Sequence, residues 1–371
     1  MKWNKISGRF AAAMMAGAMT VSMLGVTAFA EESTETSTLT KQVVKDANIY
    51  APATDFVFTI EGVGEQTGVQ DASGNTLSSP AGGLVFSKTK TTTASISSSP
   101  LDSDIDVTTL TVGTLDVEAS ASAFSTPGVY RYKITETGGS YEGIDYDTDA
   151  RYVDVFIYKE GNPKVLFVSA DGSAKADGIV CNKYGKGNTP DTDLYDLTLT
   201  KHVTGNQSVP GKKFTFTITV DGAAGEKYLV KYGTGASEVK KTLVSDDTNG
   251  VTVELSDGES AVIYGLSKTD AYTITENSYE NEGYKTYIAS ADGTGTLAPA
   301  GYVESNRRST AAGNYEAVEE GTLNDKAVHV YNDKTVTTPT GIAVAVAPYM
   351  LMVVAAGAFA VLFLRRRKSN F

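Results

Sequence analysis

A single cysteine, Cys181, stands among 371 residues, so no disulfide can form within the chain. If covalent staples hold this protein together, they are not made of sulfur. Cys181 itself is expected to be a small buried residue. Tryptophan occurs once, at Trp3, and histidine twice, at His202 and His329. There is no nucleophile elbow, no metal-ligand spacing and no phosphate-cradling glycine loop. An enzyme acting on an outside substrate is therefore not expected, and neither is a cofactor or a metal. Two acidic runs imitate calcium loops, at Asp102, Asp104 and Asp106 and at Asp145, Asp147 and Asp149. Val107 and Ala150 occupy the places where such a loop needs glycine, and Gly113 and Phe156 those where it needs glutamate. Both runs read as solvated strand or turn residues. Helical periodicity is nearly absent away from the two ends.

Positive charge is scarce in the body of the chain. Seven of the 32 basic residues lie before residue 31 or after residue 340, where none of the 44 acidic residues is found. The segment 31–340 carries a net charge of −19. Such a surface is well hydrated and disfavours nucleic acid and anionic membrane as partners.

The ends explain where the basic residues went. Lys2, Lys5 and Arg9 precede an apolar run from Phe10 to about Val26, and Ala28-Phe29-Ala30 gives a small-x-small exit. These features predict a signal peptide, 1–30, cleaved after Ala30. At the other end, TTPTG (337–341) precedes an uncharged stretch from Ile342 to Leu364, long enough to span a bilayer as a helix. Arg365, Arg366, Arg367 and Lys368 would hold the tail in the cytoplasm. The order of motif, apolar span and basic tail over 335–371 resembles a sortase sorting signal. That resemblance implies cleavage between Thr340 and Gly341 and transfer of the threonine carbonyl to an amine. Thr337 and Thr338 replace the leucine and proline of the common LPxTG form, which favours a pilus-type sortase. The precursor would be held briefly in the plasma membrane by its C-terminal helix, then fixed at the cell surface.

Between the ends, alternation of Thr, Val, Tyr and Phe punctuated by Gly, Asn and Asp predicts short strands. The clearest are FVFTIEG (56–62), GVYRYKITE (128–136), ARYVDVFIY (150–158), KFTFTITVDG (213–222), AYTITE (271–276) and KAVHVYN (326–332). The pattern is all-β, with β-sandwiches as the architecture. Segment 65–125 is Ser/Thr-rich and weakly patterned, and is expected to hold long loops or edge strands. TLTKQV (38–43) recurs as TLTKHV (198–203), and YKITE (132–136) as YTITE (272–276). Each half closes on an apolar strand ending in Asn182 or Asn332. Two domains of one kind are therefore expected in tandem, 31–184 and 195–334, joined by a Gly/Pro/Asp-rich linker, 185–194.

Residues two apart on a strand share a face. Leu39, Lys41 and Val43 share one, as do Leu197, Leu199, Lys201 and Val203. Tyr130, Tyr132, Ile134 and Glu136 share another, as do Tyr272, Ile274 and Glu276. Asn182 and Asn332 close the third. Each half thus puts one Lys, one Glu and one Asn on apolar faces, in the same order. A lone charge there is costly, and a buried ion pair would account for any one of them. Recurrence of the whole trio favours chemistry. Burial lowers the pKa of Lys and raises that of Glu, which yields a neutral amine nucleophile and a proton carrier. A protonated Glu is expected to donate to the Asn side-chain carbonyl while the amine attacks it. Ammonia would leave, and a Lys–Asn isopeptide bond would remain. This is a single self-modification, not turnover.

The strand motifs, with GIDYDTDARYVDVFIY, LTLTKHVTGN, EGYKT and the closing VYNDK…PTG, resemble the major backbone pilins of streptococci of the T-antigen type. The resemblance spans nearly the whole chain. It implies two tandem Ig-like domains similar to the collagen-adhesin B-type fold, each with one isopeptide bond and a catalytic glutamate. Carried over, the bonds are Lys41–Asn182 with Glu136 and Lys201–Asn332 with Glu276, with Lys45 as the alternative nucleophile in the first domain. It also implies an inter-subunit acceptor lysine before the closing strand of that domain. Lys175 falls there, with Lys164 and Lys183 as alternatives, although no VYPK-type pilin motif is present. The partners implied are identical subunits in a covalent polymer, the sortase, and peptidoglycan or a basal pilin. A host or matrix ligand could be carried by the Ser/Thr-rich loops. The competing reading is a wall-anchored adhesin or basal minor pilin that is never polymerised.

Overall fold

The computed structural model describes residues 36–64, 69–71, 73–186, 193–291, 303–305, 309–314, 326–335, 351–356 and 358–359. Ala30, Thr340 and Gly341, and with them the expected signal peptide and sortase cleavage site, lie outside these residues, as does most of the expected apolar span. No helix among the described residues is long and apolar enough to cross a membrane.

The first half of the chain builds β1 (Ser37–Lys45), β2 (Thr54–Gly62), β3 (Leu84–Phe86), β4 (Thr93–Ser98), β5 (Thr109–Ala119), β6 (Gly128–Thr137), β7 (Ile144–Asp145), β8 (Arg151–Ile157), β9 (Lys164–Val168) and β10 (Ile179–Tyr184). They form two sheets, in the orders β3-β5-β1-β10-β7 and β4-β2-β6-β8-β9. The second half builds β11 (Tyr195–Thr204), β12 (Phe214–Asp221), β13 (Lys227–Tyr232), β14 (Val239–Val244), β15 (Val251–Leu255), β16 (Ser260–Leu266), β17 (Ala271–Glu276), β18 (Lys285–Ala291), β19 (Val303–Ser305), β20 (Ser309–Asn314) and β21 (Lys326–Asp333). Their sheets run β14-β13-β16-β11-β21-β18-β19 and β15-β12-β17-β20. All-β architecture thus holds among the described residues of the body of the chain.

Period-two alternation sets which side chains meet between the sheets. In β1, Leu39, Lys41, Val43 and Lys45 turn inward; in β12, Phe214, Phe216, Ile218 and Val220 do. Each pair of sheets encloses its own apolar core, one around Phe56, Phe58, Tyr132 and Ile134, the other around Phe214, Phe216, Ile263 and Val330. Segment 65–125 departs in part from expectation. β3 and β4 are edge strands, but β5 is an 11-residue strand bonded on both sides, by β3 and β1. Its alternation is muted because little but Val117 is fully buried. At Gly113 the inward position has to be empty, since a Cβ there would lie 2.8 Å from Ile96 Cγ2.

The two halves touch through a polar joint. The acidic run Asp102–Asp106 is a 3-10 turn, with Asp102 and Asp106 facing Lys227 and Lys240 at 3.5 Å each. Tyr50 bonds Thr242 at 2.7 Å, and Ile49 packs on Gly265, whose φ of +83° suits glycine. Lys186 pairs with Asp196 at 2.6 Å across the linker. Deeper in the joint, Tyr228 hydroxyl lies 2.8 Å from Glu226 Oε2 and 3.0 Å from Asp270 Oδ2. The first domain contributes Tyr184, whose hydroxyl donates to Glu226 Oε1 at 3.3 Å, and Tyr141 beside it. Ala223 N–H also donates to Glu226, and Ser267 N–H and hydroxyl donate to Asp270.

Tyr228 has one hydrogen to give to two carboxyls, so one carboxyl must supply its own. Burial, followed by the charge of Asp270, pushes Glu226 up to about 7, and burial also raises Asp270, with Glu142 adding to it. The folded pKa lies above the unfolded one. The contribution to stability is therefore full below the unfolded value and is lost as pH rises through about 7. The melting midpoint should fall between about pH 5 and pH 8, and Glu226→Gln, which keeps the hydrogen bonds without the charge, should flatten that slope. An unchanged slope in the glutamine variant would assign the effect elsewhere.

Candidate functional site

In each half, the first and last strands of one sheet lie side by side and parallel. β1 pairs with β10 so that Lys41 is opposite Val180 and Val43 opposite Asn182. β11 pairs with β21 so that Lys201 is opposite Val330 and Val203 opposite Asn332. The register is the same in both. It sets the lysine and the asparagine diagonally on one face, within reach of a long side chain. The glutamate arrives from the facing sheet, with Glu136 opposite Phe58 and Glu276 opposite Phe216.

The structure brings each trio into one hydrogen-bonded group. Lys41 Nζ donates to Glu136 Oε2 at 2.8 Å, and Asn182 Nδ2 donates to Glu136 Oε1 at 2.9 Å. Lys201 Nζ lies 3.2 Å from Glu276 Oε1, and Asn332 Nδ2 donates to the same oxygen at 3.0 Å. Thr286 hydroxyl donates to Glu276 Oε2 at 3.3 Å. Both lysines and both asparagines are wholly inaccessible to solvent. Aromatic rings floor the sites, with Lys41 Nζ 4.5 Å from the Phe56 centroid and Lys201 Nζ 4.4 Å from that of Phe214.

Burial decides the protonation. Loss of hydration lowers the pKa of Lys41, only partly opposed by Glu136. It brings Lys201 down to about 8, against the opposing pull of Glu276. At neutral pH about a tenth of Lys201 is then a neutral amine. Burial raises Glu276, with the Lys201 charge opposing.

One expectation is corrected. The glutamates do not hold the asparagine carbonyl; in both sites they take the amide nitrogen. In the first site Asp147 N–H donates to Asn182 Oδ1 at 2.9 Å. A backbone N–H can only donate, so it fixes which end of the amide faces it. In the second site Asn332 Oδ1 is buried with no hydrogen-bond partner among the described residues.

The remaining sequence candidates are placed as follows. Lys45 is buried, but its amine is tied to the carbonyls of Asp46, Ile49 and Asp104, away from Glu136, and cannot serve as the alternative nucleophile. Lys175 is exposed on the loop between β9 and β10, where its backbone bridges Val168. Lys164 and Lys183 are exposed on β9 and β10. Cys181 is half-buried instead of buried, because alternation turns it away from the core that Val180 and Asn182 enter. His202 and His329 pair on the outer face of β11 and β21, Nε2 to Nδ1 at 2.9 Å. Sequence reasoning missed Asp147, Thr286 and the two phenylalanine floors. The phenylalanines were readable from alternation in β2 and β12; the other two depend on how separate segments meet.

Residues 37–185 match the Spy0128-like isopeptide containing domain, and residues 195–334 match a domain of unknown function. A pilin of Streptococcus pyogenes serotype M1 is 26% identical over 344 residues, which is 90% of this chain and 91% of that protein. The crystal structure of the major pilin from Streptococcus pyogenes is similar over 82% of this chain and 100% of its own, with a TM-score of 0.55 and 23% identity. The major pilin protein T-13 of the same species covers 81% and 100%, with a TM-score of 0.53 and 21% identity. These structural likenesses bear on the fold. The resemblance to streptococcal major pilins extends along most of the chain.

Proposed function

We propose, from the premise that residues 37–185 are a Spy0128-like isopeptide containing domain in a pilin-like chain, that this protein is a covalently self-stabilised pilus subunit. The observation that carries the reading is the buried Lys–Glu–Asn group, formed twice in one register. The neutral lysine amine attacks the asparagine Cγ, the glutamate carries a proton from Nζ to Nδ2, and ammonia leaves. The products are the Lys41–Asn182 and Lys201–Asn332 bonds, with Glu136 and Glu276 as the acid–base groups. No outside substrate is turned over. The subunit is exported and displayed at the cell surface. A pilus-type sortase joins Thr340 of one copy to Lys175 of the next, and the last copy passes to peptidoglycan or a basal pilin.

Intact mass of the secreted chain tests the self-modification. A deficit of two ammonia molecules against the sequence, with Lys41–Asn182 and Lys201–Asn332 recovered as cross-linked peptides, is expected. A full sequence mass would sink the reading of both sites.

A further inference from the structure

The two sites differ in one respect. In the second domain β18 stays in register with β21 beyond the asparagine, Thr286 opposite Asn332 and Tyr287 opposite Tyr331. In the first domain the corresponding strand, β7, pairs with β10 only at Asp145 and Ile144 and then leaves the ladder. Asp147 takes over there with both its side chain and its backbone. Its Oδ2 accepts Cys181 N–H at 3.1 Å, a donor that the ladder would otherwise have used. The same oxygen accepts Arg151 Nη2, and Oδ1 accepts Asp149 N–H at 3.0 Å. Arg151 is fixed in turn by the carbonyls of Ile179 and Asp149. So held, Asp147 aims its own N–H at Asn182 Oδ1, 2.9 Å away.

We infer that the Asp147 backbone N–H is the oxyanion donor for bond formation at Asn182, and that the Asp147 carboxylate and Arg151 are its positioning residues. The inference rests on the reading of Lys41, Glu136 and Asn182 as an isopeptide-forming site. As the Lys41 nitrogen lone pair forms its bond to Cγ, the carbonyl π electrons move onto Oδ1. Negative charge develops on the atom that Asp147 N–H already faces. When the carbonyl re-forms, the Cγ–Nδ2 bond breaks, Nδ2 takes the proton carried by Glu136, and ammonia departs. The distance lies in the range where such donors act, and removing one typically costs ~10²–10³-fold in rate. Division of labour follows: Glu136 handles the nitrogens and protons, and Asp147 handles the oxygen.

The test uses the full chain carrying Glu276→Ala, so that only the first site reports. It is made by cell-free synthesis, quenched in acid at timed intervals and read as loss of one ammonia by intact mass. Replacing residue 147 by the α-hydroxy analogue of aspartate turns its N–H into an ester oxygen and leaves the side chain in place. Closure is expected to slow by ~10²-fold or more. Asp147→Ala should slow it comparably, while Asp147→Asn, which keeps an oxygen for Cys181 N–H, should stay within about tenfold of the parent. In all of them the pH at which the rate is half-maximal should stay where the buried Lys41 sets it. Closure of the ester variant at the parent rate would overturn the inference. So would a midpoint moved to the ordinary lysine range, which would make Asp147 a prop for the burial of Lys41. Failure of the parent itself to lose ammonia would refute the isopeptide reading instead.

Discussion

Asn332→Ala, which removes the leaving nitrogen together with the bond, is expected to show a deficit of one ammonia instead of two against its own sequence and to lower the melting midpoint of the second domain by roughly 10–20 °C. The Lys201–Asn332 bond would close a loop of more than a hundred residues. By the chain-entropy argument used for disulfides, such closure contributes about 4–5 kcal/mol. For a domain of this size each kcal/mol moves the midpoint by a few degrees. The asparagine is the cleaner residue to change, because its loss leaves the Lys201–Glu276 pair intact. Glu276→Ala, which keeps the Asn332 amide, should likewise show a deficit of one ammonia and should melt lower still. It strands Lys201 without a counter-charge in a site that solvent does not reach, which costs a further ~3–5 kcal/mol. The glutamate variant melting above the asparagine variant would contradict this ordering. An Asn332→Ala chain that keeps the parental midpoint while showing a deficit of only one ammonia would show that the bond contributes no stability.

Lys175→Ala should abolish the high-molecular-weight ladder expected on denaturing gels when the chain is expressed with a pilus-type sortase, and leave the expected two-ammonia deficit of the monomer unchanged. Lys175 is exposed on a loop, and its amine meets no partner among the described residues. An enzyme that brings a thioester to this amine would meet no steric barrier from the exposed loop. The trio lysines are sealed in their cores, so on the proposed reading polymerisation and internal bonding would draw on separate amines. A persistent ladder would transfer the role to Lys164 or Lys183. Loss of both ladder and deficit would mean that the β9–β10 loop is needed for folding.

The sheets and the two trios were legible for one physical reason. Strand alternation is local, so Leu39-x-Lys41-x-Val43 and Ile134-x-Glu136 announce inward charges before any tertiary contact is known. Repetition then separates a designed grouping from an accident. Lys45 shows the limit of the method. It continues the Lys41 face and is buried as expected of that face, yet nearby carbonyls at Ile49 and Asp104 claim its amine. Nothing periodic marks a loop that curls back to cap a lysine. β5 was obscured because threonine and glycine line a half-covered strand as readily as a loop. In the sequence Asp147 stands out only as part of an acidic run, and its use depends on β7 leaving the ladder. The Glu226–Asp270–Tyr228 knot brings Asp270 to a pair that lies 42 positions or more before it, a meeting that no local pattern encodes.

The parallel pairing of first and last strands has a mechanical meaning. Pulling the second domain by Tyr195 and Asp333 drags β11 and β21 past one another along their length. In this shearing geometry the ladder bonds resist together, whereas a peeled antiparallel hairpin surrenders them one at a time. A crossbar from Lys201 to Asn332 would stop the slide outright. Only the short stretch from Tyr195 to Thr200 could then be stripped away, and the core behind Phe214 and Val330 would never feel the pull.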